Sequence, residues 1–143
     1  MINNKGTARW KGGLISGSGE VSTQSNALKS TFTFSTRFGD DMAGTNPEEL
    51  VGAAFSACYS MFLASLLEKA GHAPTEIKTT AEVSLVKDER GPFIGKIHLH
   101  TEGTVNGIDQ AEFEKQAQAA KKDCPLARAL DAVPEIVLTV VLK

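Results

Sequence analysis

The sequence predicts an α+β fold with antiparallel sheet. Short segments of alternating hydrophobicity occupy the first third of the chain, one long apolar helical segment follows, and a second group of strand-like and helical segments completes it. Strands and helices that are grouped, rather than regularly alternating, are typical of α+β folds. The 143 residues suit a single domain, 1–143, with one hydrophobic core.

The composition is that of an ordinary globular protein, with 41% hydrophobic and 22% charged residues. The 15 basic and 17 acidic residues give a formal net charge of -2 without a basic cluster, so neither nucleic acid nor a membrane surface is expected as a partner. The N-terminus lacks a signal-peptide pattern, and no apolar run is expected to reach the roughly 18 residues of a membrane span. We therefore expect a cytoplasmic protein.

Short antiparallel strands are predicted for the first third of the chain, up to about Arg37, which is rich in Gly, Ser and Thr. Between Thr31 and Phe38, phenylalanines fall at the evenly spaced positions 32, 34 and 38. Even spacing of apolar residues is typical of a strand with one buried face. Arg37 is therefore expected at a strand end, before a polar, glycine-containing loop.

A long helix is predicted over 47–70, with Asn46 as its N-cap and Gly71 as its C-cap. Glu49 follows Asn46 by three residues and completes a capping-box pattern. Between positions 51 and 67 the helix is apolar nearly all round. Such a helix is either central and buried on all sides, or partly covered by a second subunit.

The last part of the chain alternates again over 77–86 and 93–105, with a turn between the two stretches, which predicts a long hairpin. A shorter amphipathic helix is expected from Asp109, its cap, through Lys122. A further short helix over 125–130 and a β-branched strand over 135–142 complete the chain.

The chain holds two cysteines, and both are candidates for redox chemistry. The cytosol keeps thiols reduced, so a disulfide formed there tends to be transient. Cys58 alone, in the middle of an apolar helix, is more simply explained as a small buried side chain. Cys124 precedes Pro125 at a predicted helix start, where free amides and the helix dipole favour a thiolate. A second potentially reactive thiol weakens the structural explanation of the first.

Two charged residues are candidates to support Cys58. At about 100° per residue, Glu48 lies roughly 80° from Cys58 around the helix axis, whereas Glu49 lies on the opposite side. A guanidinium from Arg37 would stabilise a thiolate, and the Glu48 carboxylate would hold it through paired hydrogen bonds. Alternatively, Arg37 is a surface residue and Glu48 only a favourable charge at a helix start.

The histidines give a weaker signal. His98 and His100 share one face of a predicted strand, but two ligands without a third make a poor zinc site, and a solvated strand face explains them as well. A zinc-thiolate site of Cys58, Cys124 and His98 is a further alternative. No nucleotide-binding or serine-hydrolase motif is present. Redox chemistry of two thiols needs no metal, haem or flavin, so no cofactor is expected.

The segment Thr45-Asn-Pro-Glu-Glu-Leu-Val-Gly-Ala-Ala-Phe-Ser-Ala-Cys58, with Asp-Cys-Pro at 123–125, resembles the OsmC/Ohr family of osmotically inducible and organic hydroperoxide resistance proteins. The resemblance runs essentially end to end. The region around Trp10, Ser-Thr-Arg-Phe at 35–38 and Gly-Ile-Asp at 107–109 are more similar to the OsmC branch. It implies an OsmC-like fold, with antiparallel sheets packed around a long central buried helix in an intertwined homodimer.

The resemblance also implies a thiol peroxidase that reduces organic hydroperoxides, and hydrogen peroxide more weakly. Cys58 matches the peroxidatic cysteine that becomes a sulfenic acid, Cys124 the resolving cysteine of the disulfide, and Glu48 the helix-start glutamate. Arg37 matches the arginine of the OsmC branch, with Arg128 as the alternative. A dithiol, which the resemblance suggests is a lipoylated protein, would reopen the disulfide.

Two functional interpretations stay open at this point. One is the peroxidase, with Phe38, Phe55, Met61 and Phe62 as candidates to favour an alkyl hydroperoxide, although such residues also build an ordinary core. The other is a non-catalytic stress protein that binds a hydrophobic ligand and whose cysteines are inert.

Overall fold

The computed structural model describes all residues from Met1 to Lys143 and has the predicted α+β class. The chain divides into two compact units, Met1–Leu50 and Val51–Lys143. Each unit contains its own three-stranded sheet. The expectation of one domain over 1–143 stays a prediction.

The first unit contains the antiparallel strands β1 (Gly6–Lys11), β2 (Ser18–Thr23) and β3 (Lys29–Thr33), in that order in the sheet. Gly19 in β2 pairs with Phe32 in β3, and a Cβ at Gly19 would lie 2.4 Å from the Phe32 ring. The glycine therefore makes room for the aromatic side chain above it.

The strand predicted to run on to Phe38 ends at Thr33, and this part of the prediction is wrong. Phe34–Phe38 form a short helix, α1, which a capping box of Thr33 and Thr36 starts. Positions 34 and 38 are evenly spaced but also one helical turn apart, and their rings pack with centroids 5.0 Å apart. Arg37 accordingly lies in a helical turn.

The long helix α2 (Pro47–Lys69) starts as predicted, because the Asn46 side chain accepts a hydrogen bond of 2.8 Å from the Glu49 amide. The second half of the predicted capping box is absent. The Glu49 carboxylate instead accepts a 2.9 Å hydrogen bond from the Thr45 hydroxyl. Two residues before the helix thus hold its first turn.

One stripe of α2 is buried, at helical spacing; its members are Gly52, Phe55, Tyr59, Leu63 and Leu67. A Cβ at Gly52 would lie 2.9 Å from the Ala81 carbonyl oxygen, so the glycine lets the helix approach the neighbouring strand closely. Ala53, Ala54 and Ala57 are exposed, and Met61 is 76% exposed. Within this chain the helix is therefore not buried on all sides.

The apolar character of α2 exceeds what we expected, because by length and composition alone the helix could cross a membrane. Residues 50–67 contain no charged side chain, and only Ser56, Ser60 and Ser65 interrupt the apolar sequence, so this stretch has the length that we expected no apolar run to reach. The buried stripe packs into the core of Val51–Lys143 with residues of the strands and of a second helix. The buried stripe of α2 is thus part of the hydrophobic core of this unit.

The predicted hairpin is confirmed as β4 (Glu76–Asp88) and β5 (Gly91–Thr104), which pair antiparallel. The last strand, β6 (Glu135–Leu142), has the predicted bounds but pairs parallel to β5, so the second sheet is mixed. Parallel neighbours need a crossover connection, and two helices provide it here. Alternation within a strand does not encode the direction of its partner.

The crossover consists of α3 (Gln110–Asp123) and α4 (Pro125–Ala129), close to the predicted bounds. Asp109 caps α3 by accepting a 2.9 Å hydrogen bond from the Glu112 amide. One face of α3 enters the core through Phe113, Ala117 and Ala120. Cys124 alone separates the two helices, so it ends one and begins the next.

Candidate active site

The first unit brings Arg37 and Glu48 together. Arg37 Nη2 donates to Glu48 Oε1 at 2.7 Å, and Nε donates to Oε2 at 3.2 Å. This two-point contact is the strong, directional form of an arginine–carboxylate pair. Glu48 is the more buried partner, with a side chain 13% exposed against 36% for Arg37. The guanidinium therefore has a fixed orientation while part of it stays accessible.

The segments that carry this ion pair are themselves tied together. The Thr36 hydroxyl contacts the Thr45 carbonyl oxygen at 2.8 Å, and the Asn46 side-chain amide donates to the Thr36 carbonyl at 3.1 Å. Thr36 is buried, so water competes little for these bonds. The short helix α1 is thereby held against the start of α2, which sets the position of Arg37.

An apolar cleft of about 260 Å³ lies beside Arg37 within the first unit. Aromatic and aliphatic side chains form most of its lining, which consists of Trp10, Leu14, Phe32, Thr33, Phe34, Arg37, Phe38 and Pro47. The Arg37 guanidinium also lies 5.0 Å from the Phe38 ring centre. The cleft suits a small apolar molecule that carries one polar or anionic group.

The second unit brings the two cysteines together. Cys58, half-buried in the middle of α2, packs against the core, and Cys124 is fully buried within that core. Both are free thiols, and Cys58 lies close enough to Cys124 to raise the pKa of the Cys124 thiol. Two cysteines 66 positions apart in sequence thus become neighbours without being bonded.

Cys124 is the N-cap of α4, as its place before Pro125 predicts, and its sulfur accepts a 3.3 Å hydrogen bond from the Ala127 amide. The net effect on acidity is nevertheless opposite to the expected one. Burial raises the pKa of the Cys124 thiol, the Ala127 amide lowers it, and the adjacent Cys58 raises it further. Desolvation outweighs the helix start here, so Cys124 rests as a thiol.

Arg128 and His98, the alternative site residues, take no part in the Arg37–Glu48 ion pair or in the pair of cysteines. Arg128 is exposed on α4 and forms no ion pair. His98 bonds Thr139 at 2.8 Å on the face of β5 opposite the buried Ile97 and Leu99. No group of three potential metal ligands occurs in the chain, so the zinc-thiolate alternative of Cys58, Cys124 and His98 is not formed.

The four apolar residues proposed to select an alkyl hydroperoxide lie in different surroundings. Phe38 lines the cleft beside Arg37. Phe55 is fully buried and Phe62 packs against the core, whereas Met61 is exposed. Only Phe38 is therefore placed to contact a ligand in that cleft. Sequence reasoning missed the contributions of Trp10 and Leu14, because neither lies in a stretch with a clear period.

Sequence reasoning also missed Tyr59, the only tyrosine of the chain. Tyr59 directly follows Cys58 in the sequence. Its ring is fully buried, and its hydroxyl donates to the Ala117 carbonyl oxygen at 3.0 Å. The one tyrosine within a largely apolar helix was the available signal, since a buried tyrosine hydroxyl requires a partner.

Comparisons with known proteins identify a single family. A family profile described as OsmC-like protein matches residues 39–139. The chain is similar to peroxiredoxin OsmC of Escherichia coli (strain K12), with 48% identity over 143 residues, 99% of this chain and 98% of that protein. It is also similar to the organic hydroperoxide resistance protein OhrA of Bacillus subtilis (strain 168), with 33% identity over 67% of each chain.

A solved structure shares the fold over nearly the full length. It is an organic hydroperoxide resistance protein from Elizabethkingia anophelis with bound thiocyanate, 26% identical, with a TM-score of 0.82 over 100% of this chain and 98% of that one. The expected OsmC-like fold is thereby confirmed.

Proposed function

Since the chain belongs to the OsmC-like protein family, we propose that it is a thiol peroxidase that reduces organic hydroperoxides to alcohols. The enzyme class is the one that the names of its curated relatives state. The observation that carries the mechanism is the proximity of two free thiols, one half-buried and one fully buried, in the same core cluster. Inert structural thiols would not need this juxtaposition.

The first step belongs to Cys58, the more accessible sulfur. Its thiolate attacks one peroxide oxygen, the O–O bond breaks, and the departing alkoxide takes a proton to leave as an alcohol. The sulfur keeps the transferred oxygen as a sulfenic acid. The reaction needs no metal or organic cofactor, because the sulfur itself supplies both electrons.

Cys124 performs the second step. Its sulfur attacks the Cys58 sulfenic acid, the S–O bond breaks, and the released hydroxide combines with the Cys124 proton as water. The high pKa of Cys124 in its buried position favours the thiol until the sulfenic acid forms. A dithiol then reopens the disulfide by exchange and is itself oxidised; a lipoylated protein is the reductant that the family resemblance suggests.

Arg37 is assigned to the stabilisation of the Cys58 thiolate, with Glu48 as the residue that orients it. The two-point ion pair supports this assignment, since a surface arginine without a role has no need of a fixed orientation. Arg128 lacks such an orienting partner, which favours Arg37 over it. The apolar cleft beside Arg37 supports an organic substrate, whose alkyl or aryl group it would accept.

We further propose a cytoplasmic homodimer. The exposed apolar side of α2, with Ala53, Ala54, Ala57 and Met61, is the surface that a second copy would cover. An intertwined dimer is also what the family resemblance implies.

Mass spectrometry after a stoichiometric dose of cumene hydroperoxide tests the proposal. The wild-type protein is expected to lose two hydrogens per chain, and Cys124→Ser is expected to gain one oxygen instead. Cys58→Ser should consume no hydroperoxide. A Cys58→Ser protein that consumes hydroperoxide as fast as the wild type would contradict the proposal and favour the alternative, a hydrophobic-ligand-binding protein with inert cysteines.

A further inference from the structure

A chain of buried and half-buried hydroxyl groups lies beside the segment of α2 that carries Cys58. It begins at Ser60, whose hydroxyl donates to Thr79 on β4 at 2.8 Å. Thr79 contacts Thr101 on β5 at 3.2 Å, and Thr101 lies close enough to the Tyr59 phenol to lower its pKa, against the larger effect of burial. Tyr59 donates in turn to the Ala117 carbonyl oxygen on α3 at 3.0 Å.

Every hydroxyl of this chain has a hydrogen-bond partner. Ser60 donates to Thr79, and Tyr59 donates to a carbonyl oxygen, which can only accept. Thr79 and Thr101 share the hydrogen bond between them. No buried side-chain oxygen is therefore left unpaired.

Tyr59 and Thr101 are fully buried, whereas Ser60 and Thr79 are half-buried, so the chain runs from the edge of the core into it. Burial also raises the pKa of Tyr59, which keeps the phenol a neutral donor. Burying a hydroxyl costs free energy unless it forms a hydrogen bond, and apolar side chains at these positions would avoid that cost. These hydrogen bonds therefore serve to orient the elements that they join more than to stabilise the fold.

The geometry that it fixes is that of the two sulfurs. Tyr59 and Ser60 follow Cys58 directly on α2, so their bonds to α3 and to the sheet set the rotation of the helix at Cys58. Cys124 is the C-cap of α3, and its amide donates to the Ala120 carbonyl at 3.0 Å. The bond at Ala117 thus acts on the helix that carries Cys124.

We infer that Tyr59 is a positioning residue for disulfide formation, which through its bond to Ala117 holds α3 so that Cys124 meets the Cys58 sulfenic acid. The inference rests on the proposed peroxidase function. The phenol takes no part in the bond changes: the Cys58 S–O bond breaks, the S–S bond forms, and water carries away the oxygen with the Cys124 proton.

Tyr59→Phe tests the inference, because it removes one oxygen atom and keeps the ring in the core. In single-turnover reactions with cumene hydroperoxide, the loss of hydroperoxide should stay within twofold of wild type, since Cys58 is untouched. Disulfide formation should slow by about fivefold or more, comparable to the loss of one well-placed hydrogen bond. More sulfenic acid should be trapped by dimedone, and more sulfinic acid should form with excess hydroperoxide.

Thr139→Val is the matched control, because it also removes a hydroxyl from a hydrogen bond of this unit, but one on the outer face of the sheet. It should leave both steps unchanged. Ser60→Ala breaks the hydroxyl chain at its other end and should also slow disulfide formation only, which provides the test if Tyr59→Phe does not fold. A folded Tyr59→Phe protein that forms the disulfide at the wild-type rate overturns the inference.

The outcome for the wild type separates this inference from the function on which it rests. A wild-type protein that forms no disulfide with hydroperoxide refutes the peroxidase mechanism itself. A wild-type protein that forms it quickly, together with a Tyr59→Phe protein that is equally quick, refutes only the role of Tyr59.

Discussion

Arg37 and Glu48 meet through two hydrogen bonds, at 2.7 Å and 3.2 Å, between a one-turn helix and the first turn of the long helix α2. The pair is a fork-to-fork contact, so the direction of the guanidinium is determined as well as its position. A second arginine–glutamate pair in the same unit, Arg9 with Glu20, has one contact of 3.4 Å between exposed side chains. Arg9–Glu20 therefore serves as a comparison, because it is a weak, exposed ion pair, whereas Arg37–Glu48 is a two-point contact.

Arg37→Lys is expected to lower kcat/KM for cumene hydroperoxide by at least about tenfold, because lysine keeps the charge but cannot form the two-point contact. Glu48→Gln should act in the same direction, since it removes the carboxylate that holds the guanidinium. Arg9→Lys should leave kcat/KM within about twofold of wild type. Steady-state peroxidase assays measure all three, and an unaffected Arg37→Lys enzyme would exclude the proposed role.

Leu14→Ala is expected to affect organic substrates selectively. Leu14 lines the apolar cleft and is 67% exposed, so truncating it removes contact with an alkyl or aryl group at little cost to folding. We expect kcat/KM for cumene hydroperoxide to fall by about threefold to tenfold, which corresponds to the loss of one or two buried methyl groups. The value for hydrogen peroxide, which has no such group, should change less than twofold.

The control for that experiment is Leu28→Ala, in the same unit. Leu28 is 47% exposed and does not line the cleft. Equal effects of both substitutions on the two substrates would mean that the cleft does not bind the organic group.

Much of this arrangement follows from sequence patterns, and the exceptions have physical causes. Periodicity and caps located the hairpin, α3 and β6 closely, because each has one clear face and defined ends. Phe34 and Phe38 satisfy both a strand and a helix spacing, and only the Thr33–Thr36 capping box decides between them. Local signals of this kind outweigh an alternating pattern of three residues.

Part of the candidate site follows from sequence patterns, while the catalytic roles of its residues stay predictions. Helical rotation favoured Glu48 over Glu49 as the partner of Arg37, and the Arg37–Glu48 ion pair is present. The acidity of Cys124 was misjudged, because the sequence shows the helix start but not the depth of burial that outweighs it. The hydroxyl chain around Tyr59 needs four residues from three elements, which no local pattern brings together.

Stability at alkaline pH provides a test of the buried Cys124 thiol. Burial raises its pKa in the folded state above the ordinary thiol value of about 8.5, which the unfolded chain retains. As the pH rises past that value, the unfolded chain loses the proton first, so it binds fewer protons than the folded protein and the free energy of unfolding falls. This contribution is fully present below pH about 8.5 and is lost towards the folded-state pKa.

Urea titrations at pH 7.5 and pH 9.5, with reductant present, measure this loss. Cys124→Ala removes the titrating group, so its free energy of unfolding should decline less between the two pH values than that of wild type. Cys58→Ala retains the buried thiol and should keep most of the decline. Identical declines in wild type and Cys124→Ala would show that other groups cause it.

The exposed apolar side of α2 predicts that the protein is a dimer in solution. Sedimentation at micromolar concentration should give about twice the chain mass of 15.2 kDa. Ala57→Glu should produce monomers, because it places an unpaired carboxylate in the proposed apolar interface. Ala111→Glu introduces the same side chain at an exposed alanine in the first turn of α3, where an acidic residue is favourable, and should remain dimeric. A monomeric wild-type protein, or an Ala57→Glu protein that is as dimeric as Ala111→Glu, would mean that this side of α2 is not the interface.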